Sequence, residues 1–104
     1  MSILVYQFSW DSEKARSNFL KHRVTFKRAM NILHDPLALT IFDTDNSEKQ
    51  EERWITLGQA DNGQYLVVVH TFQNTESVDE MVVRIISARK ADRDEINDYI
   101  NSPR

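Results

Sequence analysis

The residues best suited to chemistry are cations set into apolar sequence. Glu80-Met81-Val82-Val83-Arg84-Ile85-Ile86-Ser87-Ala88-Arg89-Lys90 is a β-branched run carrying two arginines, and Arg53 opens a second such run. A guanidinium inside a sheet is costly unless it meets an anion or sits at a rim, so these positions invite a phosphate or carboxylate partner. The plain alternative is that Arg84 and Arg89 lay their stems along apolar surface or pair with nearby acids. Lys14 and Lys21 add two more cations. Such a set suits metal-free cleavage of a phosphodiester: a base takes the 2′-hydroxyl proton, an acid protonates the leaving oxygen, and cations hold the charge on phosphate. His22, His70, Glu52 and Tyr99 are the candidates for proton transfer. Each also has a structural reading: His22 as a helix-end residue, His70 as a satisfied sheet histidine, Glu52 as a solvated loop acid, and Tyr99 as core.

Other chemistries are disfavoured. Gly58 and Gly63 are the only glycines, too few for a phosphate-cradling loop. His22, His34 and His70 lack metal-ligand spacing and stand apart from the carboxylates. With no cysteine there is no disulfide framework and no thiolate site, which fits a reducing cytoplasm. No run is long enough for a membrane span, and the first residues lack the basic flank and apolar stretch of a secretion signal. The net charge of −3 is unevenly spread. Residues 1–40 carry six Lys and Arg against three Asp and Glu, whereas residues 41–64 carry two against six. A strong non-specific nucleic-acid binder is normally basic throughout, so RNA affinity here must come from a focused patch.

The elements that position these groups follow from pattern. A chain of 104 residues, 40% hydrophobic and 28% charged, suits one globular domain over residues 1–104. Residues 4–8 read as an edge strand. Asp11 caps a helix with Ala15, Phe19 and His22 on one face, Leu20 beside them, and Lys14, Asn18 and Lys21 along a basic flank. Thr25 caps a second helix that buries Phe26, Ala29, Met30 and Leu33, and Pro36 ends it. Residues 37–42 form a strand, and residues 43–51 a mobile acidic loop. Residues 53–60 and 65–72 form a hairpin about Asn62-Gly63. A two-residue loop there pairs Leu57 with Val68 and Ile55 with His70, and sets Arg53 opposite Phe72. Alternation places Arg84 and Arg89 on opposite faces unless the strand bulges or Arg89 lies past its end. Asp92 and Glu95 form the capping box of a last helix that buries Ile96, Tyr99 and Ile100.

An ordered set of short pieces resembles the BrnT toxin family over about residues 7–99. It comprises Phe8-Ser9-Trp10-Asp11, Lys14, Asn18, Lys21-His22, Val24-Thr25-Phe26, Ala29, Asp35-Pro36, Glu51-Glu52-Arg53, Leu57-Gly58, Leu66-Val67-Val68-Val69 and Arg84-Ile85-Ile86-Ser87-Ala88-Arg89-Lys90-Ala91. The resemblance implies an α+β, RelE-like fold: two N-terminal helices on a mostly antiparallel four- to five-stranded sheet, with a C-terminal helix. It further implies a cytoplasmic ribonuclease toxin without cofactor or metal, one that arrests growth and is neutralised in a hetero-oligomer by a BrnA-like antitoxin. That antitoxin's ribbon-helix-helix part would make the only contact with operator DNA. The family's polar set falls on Lys14, Lys21, His22, Glu52, Arg53, Arg84 and Arg89, with Tyr99 in the last helix. Together with the reading of the residues, this makes Arg53, Arg84, Arg89, His22 and Glu52 the expected catalytic residues, and Lys14, Lys21, His70 and Tyr99 the expected RNA contacts. One departure stands out: Arg23 occupies the place where the family usually has glycine after the lysine-histidine pair. Either the turn differs, or a cation has been added at about 1 kcal/mol of backbone strain. From a different class, the competing expectation is a non-catalytic interaction module of the same fold whose cations engage an acidic partner protein.

Overall fold

A computed structural model describes residues 4–103. The order is β1 (Val5–Ser9), α1 (Ser12–His22), α2 (Phe26–Ile32), β2 (Leu39–Phe42), β3 (Trp54–Gln59), β4 (Tyr65–Asn74), β5 (Glu80–Lys90) and α3 (Arg93–Asn101). The strands form one mixed sheet in the order β1-β5-β4-β3-β2, with β1 parallel to β5 and the other neighbours antiparallel. Three helices and a five-stranded sheet make an α+β fold. No helix among the described residues is long and apolar enough to cross a membrane.

The helix ends are where the capping residues place them. Asp11 accepts from the amides of Glu13 and Lys14, and Thr25 accepts from that of Arg28. Asp92 and Glu95 complete a reciprocal capping box. The core lies between α2 and one sheet face, where Val24, Phe26, Ala29 and Ile32 meet Leu66, Val68, Ile85 and Ala88. Gly58 permits this approach, because a Cβ there would stand 3.0 Å from that of Ile32. Tyr65, next to Leu66 and therefore on the other face, meets Tyr99 of α3. Tyr99 is buried as expected, but Ile100 is 58% exposed.

Three expectations give way here. The β3–β4 turn has three residues, not two. The Gly63 amide donates to the carbonyl of Ala60, and the Ala60 amide donates to that of Gln64. Gly63 closes the loop at φ 88°, a conformation that disfavours a Cβ. The register therefore moves by one: Leu57 pairs with Val67, Ile55 with Val69, and Trp54 with His70. A one-residue slip exchanges faces, so Arg53, Ile55 and Leu57 align with Val67, Val69 and Thr71.

The acidic loop, expected to be mobile, is tied together by polar bonds. Ser47 donates to the carbonyl of Asp43 and accepts from the amide of Arg53, Asn46 binds the Asp43 carboxylate, and Glu48 bridges Glu51. Polar bonds at Asp43, Glu48, Glu51 and Arg53 hold it without an apolar anchor.

Helix α1 is turned away from its expected orientation. Asn18, expected on the flank, is buried and hydrogen-bonded through its amide group to Ala88 N, Ala88 O and Val24 O. β1 covers β5 only as far as Arg84, so Asn18 satisfies the edge beyond it. With its polar side docked, α1 leaves Phe19 38% and Leu20 62% exposed.

Candidate active site

β5 is where the geometry departs most usefully from simple alternation. Val69 pairs with Ser87 but His70 pairs with Ile85, so Ile86 is an extra residue, a β-bulge. Ala88 and Ile85 remain in the α2 core, while Arg84, Ser87 and Arg89 align with Thr71, Val69 and Val67 on the opposite face. Continuing the β3–β4 register by one residue sets Arg53 beside Thr71. Arg53, Thr71 and Arg84 thus form one row across three strands.

The two guanidiniums of that row share a single carboxylate. Arg84 Nη2 lies 2.6 Å from Glu51 Oε2, and Arg53 Nη2 lies 3.3 Å from Glu51 Oε1. All three side chains are partly open to solvent. Arg84 and Glu51 border a cleft of about 190 Å³ lined also by Gln50, Glu52, Thr71, Phe72 and Gln73, and Arg53 meets it through Glu51. An oxyanion held by two cationic forks is the arrangement a phosphate group would meet. Glu52 lines this cleft without an ion pair to either arginine. Glu51, its neighbour, was missed in the sequence because a loop offers no alternation to choose between them.

Arg89 is engaged differently. Its two terminal nitrogens bind both oxygens of Glu95 at 2.8 Å, and Glu95 also accepts the Asp92 amide. The Arg89 hydrogen bonds hold the Glu95 carboxyl down to about 2 and raise the Arg89 pKa in return. Arg89 shares the face of Arg84 but is committed to the start of α3.

Lys14, Lys21 and His22 line a second, open groove of about 490 Å³ between α1 and Ile86-Ser87 of β5. Asp11, Glu13, Ser17 and Asn18 complete its wall. Ser87 lies three residues from Arg84, about 10 Å along the strand, so the groove and the arginine cleft follow one another on β5. Asn18 sets α1 beside this strand. Its sequence signal was its place between Lys14 and Lys21 on one helix face.

The remaining candidates lie inside. His70 is 0% exposed. The Thr71 carbonyl can only accept, so Nδ1 carries the proton, 3.3 Å away, and Nε2 accepts from Thr56 Oγ1 at 2.7 Å. Thr56 in turn meets Thr40. Burial pushes the His70 pKa down to about 4, leaving a neutral ring enclosed against Phe72. Tyr99 is 5% exposed, and its hydroxyl donates to Asp35, which also binds the amides of Leu37 and Gln59. Neither side chain lines the arginine cleft. Among the described residues, no three His, Asp or Glu side chains gather as a metal ion would require.

A partly screened row of cations beside a groove that holds two lysines and a histidine offers donors to a phosphate backbone. Residues 10–95 match the family described as ribonuclease toxin, BrnT, of type II toxin-antitoxin systems, and the chain belongs to that family. It is accordingly a ribonuclease toxin with a protein antitoxin as its partner. Among solved structures, it resembles the ribonuclease toxin BrnT of Brucella abortus with a TM-score of 0.54 and 21% identity. That match covers 89% of this chain and 99% of the other, and supports the common fold. No curated protein matches in sequence.

Arg23 adds a further cation at the end of α1. It ends α1 at φ 58° and ψ 29°, the one non-glycine residue with positive φ among those described. The helix therefore ends in a left-handed turn, which costs a non-glycine residue about 1 kcal/mol of strain.

Proposed function

We propose that the toxin cleaves RNA internally, without a metal ion, by holding the scissile phosphate between Arg53 and Arg84. The observation that carries this reading is the convergence of both guanidiniums on Glu51, whose carboxylate occupies the place a phosphate oxygen would take. An incoming phosphodiester displaces Glu51, because two forks meet a phosphate at least as well as a carboxylate. The RNA backbone continues along the α1 groove over Lys14 and Lys21. We assign proton transfer to His22 in that groove and to Glu52, which lines the cleft with Arg84. Arg89 supports the strand end near the same path, and His70 and Tyr99 maintain the fold. The chain works as one domain of RelE-like type in the cytoplasm. Its antitoxin is BrnA-like, with a ribbon-helix-helix part that alone touches operator DNA.

Cleavage of RNA by the purified toxin, with chelator present, tests this directly. The wild type should cut internally, and Arg53→Ala should lower the rate about a hundredfold or more while remaining folded. A folded Arg53→Ala toxin that cuts at the wild-type rate would overturn the site. Dependence on added metal would overturn the mechanism.

A further inference from the structure

We infer that the outer face of α1 is an anchoring surface for the antitoxin, taking a segment that combines acidic with apolar side chains. Arg16, Phe19, Leu20 and Arg23 recur at the spacing of a single helix face, and all four are exposed. This face lies opposite Lys14, Asn18 and Lys21, the side that docks on β5 and lines the groove. Exposed leucine and phenylalanine at adjacent positions leave an apolar strip that no described element covers.

The charges set the kind of partner. Arg28, Arg53, Arg84 and Arg89 each meet a carboxylate of their own chain, but among the described residues Arg16 and Arg23 form no ion pair. Arg23 stands over the Phe19 ring at 5.6 Å, so cation and apolar surface form one patch. A glycine at position 23 would relieve the backbone, yet arginine is present. Retaining a strained side chain at an exposed helix end points to a contact beyond the chain. The apolar pair favours protein over RNA, which would need only the charge. The inference uses the antitoxin partnership of the family and is independent of where RNA is cut.

Titration of the toxin with its cognate antitoxin tests the surface. Leu20→Ser should weaken the complex about 30-fold, as truncation of a central apolar anchor does. Arg23→Gly should weaken it about tenfold, with thermal stability equal to or above that of the wild type, so misfolding is not the cause. RNA cleavage by both free variants should be unchanged. Wild-type antitoxin affinity in both variants would overturn the inference and leave the nuclease site untouched. Lost RNA binding with intact antitoxin binding would also overturn it, by assigning the face to nucleic acid. Failure of the wild-type toxin to cleave RNA would count against the proposed site and not against this surface.

Discussion

Two arginines of one strand meet two glutamates in contrasting ways. Glu95 faces Arg89 through two parallel bonds and accepts a helix-cap amide as well, so three donors hold it at the start of α3. Glu51 faces Arg84 from a polar loop, is divided between Arg84 and Arg53, and has one short contact and one long. The first pair is a structural joint. The second is an exchangeable contact, in which one carboxylate stands between two cations that any stronger oxyanion could claim. On the proposed site, the difference shows how an acidic chain can act on RNA: Glu51 screens Arg53 and Arg84 until a phosphate replaces it, whereas Glu95 stays with Arg89.

The contrast is broken most severely by activity. Arg84→Ala should reduce RNA cleavage about a hundredfold or more, and Arg89→Ala less than about tenfold, measured as initial rates on one RNA. Equal losses would mean that both arginines touch the reacting phosphate.

Acid sharpens it next. His70 is held neutral with a folded pKa of about 4 against an ordinary 6.5. The unfolded chain therefore binds its proton first as pH falls. Stability present above pH 6.5 should drop by about 3 kcal/mol on the way to pH 4, as read from urea unfolding midpoints. The Glu95 pair contributes above its ordinary carboxylate range and is lost only as pH approaches about 2. His70→Gln should flatten the upper part of this profile, and a slope unchanged by that substitution would remove the assignment.

The smallest effect concerns the exchangeable pair itself. Glu51→Gln keeps the shape of the side chain but removes its charge, so RNA should bind roughly three- to tenfold tighter at low salt, with a steeper salt dependence. Weaker binding in the titration would show Glu51 to be a supporting residue and not a competitor for the phosphate site.

Much of the architecture was legible because its signals are local. Asp11, Thr25 and Asp92 mark helix starts through their own side chains, and the apolar runs mark the strands. What failed depended on distant partners or on counting. Asp61-Asn62-Gly63 suits a two-residue or a three-residue loop equally well, since both need glycine at a left-handed position, yet the choice decides which face Arg53 shares. Phe19 was read into the core because its spacing allows it. The decisive contact was Asn18 with Ala88, 70 residues away. In the site, the arginines and the α1 lysines could be named from the sequence. Glu51 could not be separated from Glu52, because only the fold shows which one turns back.

The extra residue at Ile86 makes a question of parity decisive. Arg84 and Arg89 are five positions apart, and on an unbroken strand an odd separation means opposite sides. With Ile86 taken out of the count, the effective separation is four. β5 therefore behaves as two short strands joined out of phase, the first half and the second each contributing one arginine to a common surface while Ile85 and Ala88 stay in the core.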